Sequence, residues 1–118
     1  MRRNYSNFKQ GDIVTIELPF SDYSSSKLRP VLIISCDSFN ISSNDVIVAK
    51  ITGSKVGSRF AIRITNANLS FGRLKKTSYI DISFLFTVEK ELIKKKIARI
   101  NNSTLQKVKT KLEQLFIE

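Results

Sequence analysis

The feature that most constrains this chain is a succession of short segments in which apolar residues recur at every second position or without interruption. Alternating segments cover residues 13–18, 59–65 and 79–84, and mostly apolar runs cover residues 30–36 and 46–51. Alternation with a period of two is typical of a half-buried strand, and a continuous apolar run is typical of a strand buried on both faces. The sequence therefore predicts a mainly β fold of five to seven short strands, with Ile80, Ile82 and Phe84 on one buried face.

The hydrophobic period changes near the C-terminus, where apolar residues fall on one stripe of an amphipathic helix. The residues of this stripe are Leu105, Val108, Leu112, Leu115 and Phe116. A few short strands suit a small, strongly bent barrel, and one helix packed on it would cover an open end or edge. We expect an α+β, mainly β domain over residues 1–118, built as a small SH3-like barrel with a C-terminal α-helix.

The charge of the chain is the first indication of its function. Lys and Arg number 20 and Asp and Glu number 10, which gives a net charge of +10 on 118 residues. A small folded domain with this charge most often binds a polyanion, and nucleic acid is the leading candidate. A surface that is merely basic and solvated is the alternative.

Residue types that are rare or missing exclude several classes of protein. The chain has no histidine, which removes Ser-His-Asp and Cys-His catalysis and the commonest zinc sites. Cys36 is the only cysteine; it permits no internal disulfide, fits a reducing cytosol, and is expected to be a small buried hydrophobe. No apolar stretch approaches the roughly 20 residues of a membrane-spanning helix, so we expect a cytoplasmic protein without membrane contact.

Several motifs occur in an order that is typical of one family. They are Gly-Asp-Ile-Val at 11–14, Lys-Leu-Arg-Pro at 27–30, the apolar run with its threonine at 46–52, and Thr-Ser-Tyr-Ile-Asp at 77–81. With them the chain resembles the MazF/PemK toxin family over nearly its whole length. The resemblance implies the toxin of a type II toxin–antitoxin system, with an SH3-like barrel and a C-terminal helix, acting as a homodimer that a small cognate antitoxin blocks.

The resemblance also implies a reaction. Family members are sequence-specific endoribonucleases (mRNA interferases) that cut single-stranded mRNA without a metal or other cofactor. The 2′-OH of the RNA attacks phosphorus, which leaves a 2′,3′-cyclic phosphate and a 5′-OH end. Such a reaction needs a base for the 2′-OH proton, an acid for the 5′-oxygen, and positive charge at the phosphorane.

Three catalytic candidates follow from matching this sequence to the family motifs. The arginine of the Arg-Pro motif matches Arg29, the threonine after the third strand matches Thr52, and the aspartate of a late Arg-x-Asp pair matches Asp81. A guanidinium group stays protonated in proteins and can donate two parallel hydrogen bonds to phosphate oxygens. We therefore expect Arg29 to stabilise the transition state, with Asp81 as the nearest candidate for the base.

Each catalytic candidate also has a purely structural interpretation. Arg29 could pair with a carboxylate, and Thr52 could bond to its own backbone in a turn. Asp81 could be an exposed strand carboxylate paired with Arg59 or Arg63. The sequence alone leaves these interpretations open.

Five further residues are predicted to bind RNA. Basic and polar side chains near two loops would contact the backbone, and an aromatic ring would stack on an unpaired base. These residues are Lys27, Ser54, Lys55, Arg59 and Tyr23.

Two departures from the family pattern favour an alternative function. Tyr79 stands where some members have the arginine of the Arg-x-Asp pair, and residues 24–26 are serines in a loop where some members carry a glutamate. The alternative is an SH3-like module, an inactive homologue of the toxins, that binds nucleic acid or protein without catalysis.

Overall fold

The computed structural model describes residues 8–19 and 26–117, which form seven strands and two α-helices. The predicted mainly β fold with a C-terminal helix is confirmed, with the strand number at the upper end of the predicted range. The strands are β1 (Asp12–Pro19), β2 (Ser26–Ile33), β3 (Asp45–Thr52), β4 (Ala61–Ile64), β5 (Leu69–Gly72), β6 (Ser78–Glu89) and β7 (Ile93–Ile100), and the helices are α1 (Asp37–Ser42) and α2 (Asn102–Ile117).

All of these strands belong to one curled antiparallel sheet with the order β4-β6-β3-β2-β1-β7-β5. The first three strands of the chain are consecutive neighbours, and β7 returns to pair with the other side of β1. The long strand β6 pairs with both β3 and β4. This order leaves β4 and β5 at the two edges of the sheet.

The two faces of the sheet carry two separate hydrophobic clusters. Leu32 and Ile80 belong to the first cluster, which α2 covers through the buried Val108. Val31 and Val48 belong to the second cluster. Neighbouring residues of β2 thus fall into different clusters, as expected for a strand buried on both faces.

A buried carboxylate joins β1 to β7. Asp12 is fully buried, with Lys96 Nζ 3.0 Å from its Oδ2 and Arg99 Nη2 2.8 Å from its Oδ1. The backbone N–H of Lys9 donates a hydrogen bond of 2.9 Å to Oδ2, whereas the contact of Arg99 with Oδ1 is a charge pair without a directed hydrogen bond. Opposite charges therefore reinforce the ladder between the first and last strands.

Strand β6 contains a bulge of three residues. Ala49 of β3 lies opposite Leu85, but the next residue, Lys50, lies opposite Asp81. Residues 82–84 consequently have no partner in β3, and the amide of Ile82 donates instead to the backbone carbonyl of Phe60 at 3.0 Å. A bulge of this kind re-aims the side chains that it carries.

Three predictions of burial are wrong, each for a local reason. Phe84 lies in the β6 bulge and is 48% exposed, and Phe116 in the last turn of α2 is 70% exposed. Cys36 is exposed because the chain leaves the sheet after Ile33 and enters α1 at Asp37. This turn is fixed by the buried Asn40, whose side-chain amide donates to the carbonyl of Ser35 at 3.0 Å.

Candidate active site

One end of the sheet gathers polar and charged residues from three neighbouring strands. The register places Arg63 of β4 opposite Tyr79 of β6, and Tyr79 opposite Thr52 of β3. Residues that lie opposite each other in antiparallel strands point to the same face, with Cβ atoms about 4.5–5.5 Å apart. We refer to Arg63, Tyr79 and Thr52 as the first row.

A second row lies two residues from the first on each of the three strands, away from the end of the sheet at which β3 terminates. It consists of Ala61, Asp81 and Lys50 in the same strand order. Residues two apart on a strand point to the same face, so Asp81 and Lys50 share the face of the first row. The sequence candidates Thr52 and Asp81 are therefore neighbours on one face of the sheet.

Arg29 reaches this face from β2. Val31, two residues further on, lies opposite Lys50 of the second row. The exposed Arg29 lies two residues before Val31 on β2, so its side chain points to the same face, beyond the last residue pair that β2 forms with β3. An arginine, a threonine and a carboxylate thus come to one end of one face.

The hydroxyl group of Thr52 makes the turn bond that its structural interpretation predicts. Its Oγ1 accepts a hydrogen bond of 3.2 Å from the backbone N–H of Ser54. Accepting this bond occupies one lone pair and leaves the O–H proton to be donated. The turn therefore orients Thr52 without preventing it from donating to a phosphate oxygen.

The carboxylate of Asp81 is held by the bulge that follows it. Its Oδ1 accepts hydrogen bonds from the backbone N–H of Ser83 at 3.1 Å and from the Ser83 hydroxyl at 2.6 Å. Across the strand pair, Lys50 extends over the Phe84 ring, with Nζ 4.8 Å from the ring centroid. A carboxylate, an ammonium group and an exposed aromatic ring thus surround the bulge.

A lysine from a loop distant in sequence lies beside Thr52. A Cβ atom placed on Gly53 would overlap Cε of Lys76 and lie 2.6 Å from its Nζ. The flexible end of the Lys76 side chain therefore occupies the space in which a side chain at position 53 would begin. Its ammonium group adds positive charge next to the first row.

The predicted RNA-binding residues are only partly brought together. Lys27 is exposed two residues from Arg29 on β2, so the two side chains share a face. Lys55 and Arg59 are exposed on the loop that follows Thr52, and the guanidinium carbon of Arg59 lies 4.5 Å from the centroid of the Phe60 ring. Ser54 is the turn residue already described, and Tyr23 lies outside the described residues.

Sequence reasoning missed four residues of this site. Lys50 stands two residues before Thr52, and this spacing in a strand could have indicated it. Arg63 and Phe84 reach the site through the register and the bulge of β6, and Lys76 through the path of a loop. The sequence pattern carries no signal for these last three.

Two classes of feature are absent from the part of the chain that the structure describes. Residues 8–19 and 26–117 contain no group of three or more carboxylate and cysteine side chains placed to hold a metal ion. None of the described helices combines the length and the apolar character needed to cross a membrane.

Comparison with known proteins decides the family. The sequence model of a family described as "PemK-like, MazF-like toxin of type II toxin-antitoxin system" matches residues 9–116. The chain belongs to the PemK/MazF-like toxin family. The resemblance drawn from the sequence motifs is thereby confirmed, and the match includes β1 to β7 and nearly all of α2.

Solved structures related to the PemK/MazF-like toxins share this fold. An endoribonuclease from Mycobacterial species aligns with a TM-score of 0.75 at 17% identity, covering 97% of this chain and 93% of that chain. The Mycobacterium tuberculosis toxin MazF-mt6 aligns with a TM-score of 0.72 at 21% identity, covering 89% and 95%. A MazE-MazF structure from Deinococcus radiodurans gives 0.72 at 15% identity, covering 91% and 94%. At these identities the likeness shows the MazF-like fold.

Proposed function

We propose that this PemK/MazF-like chain is a toxin that cuts single-stranded mRNA at specific sequences without a metal or other cofactor. The observation that carries the proposal is the presence of Arg29, Thr52 and Asp81 on one face of the sheet. Family membership supports the toxin assignment. The names of the solved relatives, which include endoribonucleases, support RNA cleavage.

In the proposed reaction, the 2′-oxygen of one nucleotide bonds to the adjacent phosphorus as the bond to the 5′-oxygen breaks. The 2′-OH proton passes to Asp81, and the leaving 5′-oxygen takes up a proton from solvent water, which gives a 2′,3′-cyclic phosphate and a 5′-OH end; Asp81 then returns its proton to the solvent. Arg29 faces the negative charge that grows on the phosphorane, and Thr52 donates its O–H to a non-bridging oxygen. The bonds from Ser83 hold the carboxylate of Asp81 in one orientation.

The surrounding cations extend the proposed site along the RNA backbone. Lys50 and Lys76 lie beside Asp81 and Thr52, and Lys27 lies beside Arg29. Phosphate contacts of this kind release counterions, so RNA binding is expected to weaken steeply as salt rises.

The same proposal includes the partners and the setting of the protein. We infer a single domain over residues 1–118 that acts as a homodimer in the cytoplasm and is blocked by a small cognate antitoxin. One solved relative is an endoribonuclease in complex with its cognate antitoxin, with a TM-score of 0.77 at 17% identity over 93% of this chain. That complex and the MazE-MazF structures support the inferred antitoxin.

The direct test is cleavage of a long transcript of mixed sequence by purified protein in excess EDTA, with mass spectrometry of the product ends. Cyclic phosphate and 5′-OH ends are expected, and Arg29→Ala should slow cleavage by about 100-fold or more, as loss of a transition-state charge does. Lys109→Ala removes one positive charge from the outer face of α2 and should leave the rate within about twofold, since exposed charges act weakly at a distance. Cleavage that survives both Arg29→Ala and Thr52→Ala would overturn the assigned site.

A non-catalytic module that binds nucleic acid or protein is the second candidate function. It is favoured by Tyr79 in place of the family arginine and by the two bonds that Asp81 already accepts from Ser83. Salt-dependent RNA binding with no cyclic phosphate product, from a folded protein, would select this function.

A further inference from the structure

The loop between β5 and β6 is fixed at two points, one on each side of Lys76. Leu74 is buried in the first hydrophobic cluster, and its amide N–H donates a hydrogen bond of 2.7 Å to Oδ1 of Asn66. The hydroxyl group of Ser78, which is itself buried, donates a hydrogen bond of 3.1 Å to the carbonyl of Lys76. The backbone from which the Lys76 side chain departs is therefore held, although Lys76 is exposed.

The first of these two points is anchored in turn to the start of α2. Asn66 begins a single turn of 3-10 helix, Asn66–Asn68, that lies between β4 and β5. The side-chain amide of Asn68 donates a hydrogen bond of 3.1 Å to the hydroxyl group of the buried Thr104. The backbone N–H of Asn101 donates to the carbonyl of Asn68 at 2.8 Å. Asn66 thus belongs to a turn that α2 holds in place.

The lysine that is held in this way reaches the turn after Thr52. Its Cε and Nζ lie where a Cβ atom on Gly53 would begin. No carboxylate in the part of the chain that the structure describes lies within 4 Å of the Lys76 ammonium group. A held ammonium group without a carboxylate partner favours a ligand that carries negative charge.

We propose that Asn66 and Ser78 are positioning residues, which hold Lys76 so that its ammonium group binds a phosphate group of the RNA beside Thr52. The proposal rests on the proposed function and adds to it the residues that place this charge. A lysine side chain is a flexible four-carbon stem, and ordering it costs conformational entropy that weakens binding. Because the backbone is already held at Leu74 and at the Lys76 carbonyl, part of this ordering is complete before RNA binds.

A purely structural role for the same hydrogen bonds predicts a different kinetic effect. Ser78 is the first residue of β6, which also carries Tyr79 and Asp81. Loss of a bond that only stabilises β6 would disturb these groups and lower kcat. Loss of a bond that positions a phosphate-binding lysine would raise KM and leave kcat nearly unchanged, because binding of the substrate and of the transition state weakens equally.

The first experiment measures fluorescence anisotropy of a short labelled single-stranded 2′-fluoro oligonucleotide of randomised sequence, which has no 2′-OH to attack phosphorus. Lys76→Ala should weaken binding about fivefold, as for the loss of one ion pair near the surface. Ser78→Ala and Asn66→Ala should each weaken it about threefold, because the lysine remains but is less ordered. Asn66 is exposed, so Asn66→Ala tests the proposal even where Ser78→Ala impairs folding.

Two matched controls accompany these variants. Lys75→Ala removes the exposed neighbouring lysine of the same loop. Ser42→Ala removes a hydroxyl group that also donates to a backbone carbonyl, at 2.9 Å, but within α1. Both should change the affinity by less than about 1.5-fold, since exposed charges and bonds away from the ligand act weakly. Equal losses from Lys75→Ala and Lys76→Ala would overturn the proposal, because the loop would then act through its general charge.

The double substitution identifies the route by which Ser78 acts. Adding Ser78→Ala to Lys76→Ala should weaken binding no further than Lys76→Ala alone, since two changes to one interaction are not additive. Lys76→Ala should also reduce the slope of log affinity against log salt concentration by about 1, as for the loss of one phosphate contact. Additive losses in the double variant would overturn the positioning role.

Cleavage kinetics complete the test and separate it from the proposed function. Ser78→Ala and Asn66→Ala should raise KM for RNA about threefold and leave kcat within about twofold. A fall in kcat at unchanged KM would overturn the proposal and assign the hydrogen bonds to the stability of β6. Binding that shows the expected dependence on Lys76 and Ser78, from a chain that does not cut RNA, would contradict the proposed function alone.

Discussion

Arg63 of β4 lies directly opposite Tyr79 of β6, at the position where some family members have the arginine of the Arg-x-Asp pair. The two side chains share one face with Thr52, which follows in the same row. We infer that Arg63 supplies from the neighbouring strand the positive charge that Tyr79 cannot supply. The positive charge that some family members carry at the position of Tyr79 on β6 is then carried by Arg63 on β4.

This inference predicts a rescue. Arg63→Ala should lower kcat/KM for RNA cleavage by about tenfold, the effect of about 1.4 kcal/mol at the transition state. Adding Tyr79→Arg to Arg63→Ala should restore most of the loss, because the new guanidinium stands in the same row. A double variant as slow as Arg63→Ala alone would contradict the shared role.

The contact between Gly53 and Lys76 predicts a substitution that changes RNA binding more than stability. A methyl group on Gly53 would displace the flexible end of Lys76, so Gly53→Ala should move the ammonium group away from Thr52. We expect RNA affinity to fall severalfold, while the melting temperature changes by only a few degrees, as for a shift of about 1 kcal/mol or less.

Gly57→Ala is the matched control for this substitution, because an added Cβ at Gly57 meets no atom within 4 Å. It should leave RNA affinity unchanged. If Lys76 is the cause, Gly53→Ala should add nothing to Lys76→Ala, since two changes to one contact are not additive. Additive losses would assign the effect of Gly53→Ala to the turn backbone instead.

The buried ion pairs of Asp12 predict a large loss of stability. Asp12→Asn would leave the cations of Lys96 and Arg99 beside a neutral group, and we expect the free energy of unfolding to fall by about 3 kcal/mol. Glu17→Gln is the matched control: its pair with Lys94 is 3.9 Å long and half-exposed, so its loss should be below about 1 kcal/mol. Urea unfolding followed by circular dichroism measures both, and equal losses would contradict the prediction.

The Cys36 thiol should react at a lower pH than an ordinary cysteine. A hydrogen bond with the Ser38 side chain, and next the backbone of Phe39, lower the pKa of Cys36; its Sγ lies 3.3 Å from the Ser38 Oγ. Because the thiolate is the reactive form, the pH midpoint of iodoacetamide alkylation should lie below that of the chain unfolded in urea. Ser38→Ala should move the midpoint upward. Identical profiles in the folded and unfolded chain would contradict the pKa direction.

The parts of the fold that the sequence predicts correctly are those in which burial follows a simple period. Ile62 and Ile64 are buried as alternation requires, and Val108 is the buried centre of the helical stripe. Strand β5 was not predicted because only Leu69 of its four residues is even half-buried. Likewise β2 begins at Ser26, within a polar segment that carries no hydrophobic pattern.

The residues of the candidate site likewise include some that the sequence predicts and some that it does not. Arg29, Thr52 and Asp81 are candidates that the sequence predicts because short motifs mark them. Arg63 and Lys76 were not found because their places depend on which strands and loops become neighbours, and periodicity within a segment says nothing about neighbours distant in sequence. The exposed Phe84 adds a different cause, since a bulge interrupts the alternation from which its burial was inferred.

The bulge of β6 also decides which face the site occupies, because its length is an odd number. Before the bulge the odd-numbered Asp81 points to the face of the site, and after it the even-numbered Phe86 and Val88 point to that same face. Shortening or lengthening residues 82–84 by one residue would exchange the two faces of the first half of β6, which would turn Asp81 and Tyr79 towards the core beneath α2. Length changes at this bulge that preserve the site must therefore come in steps of two residues.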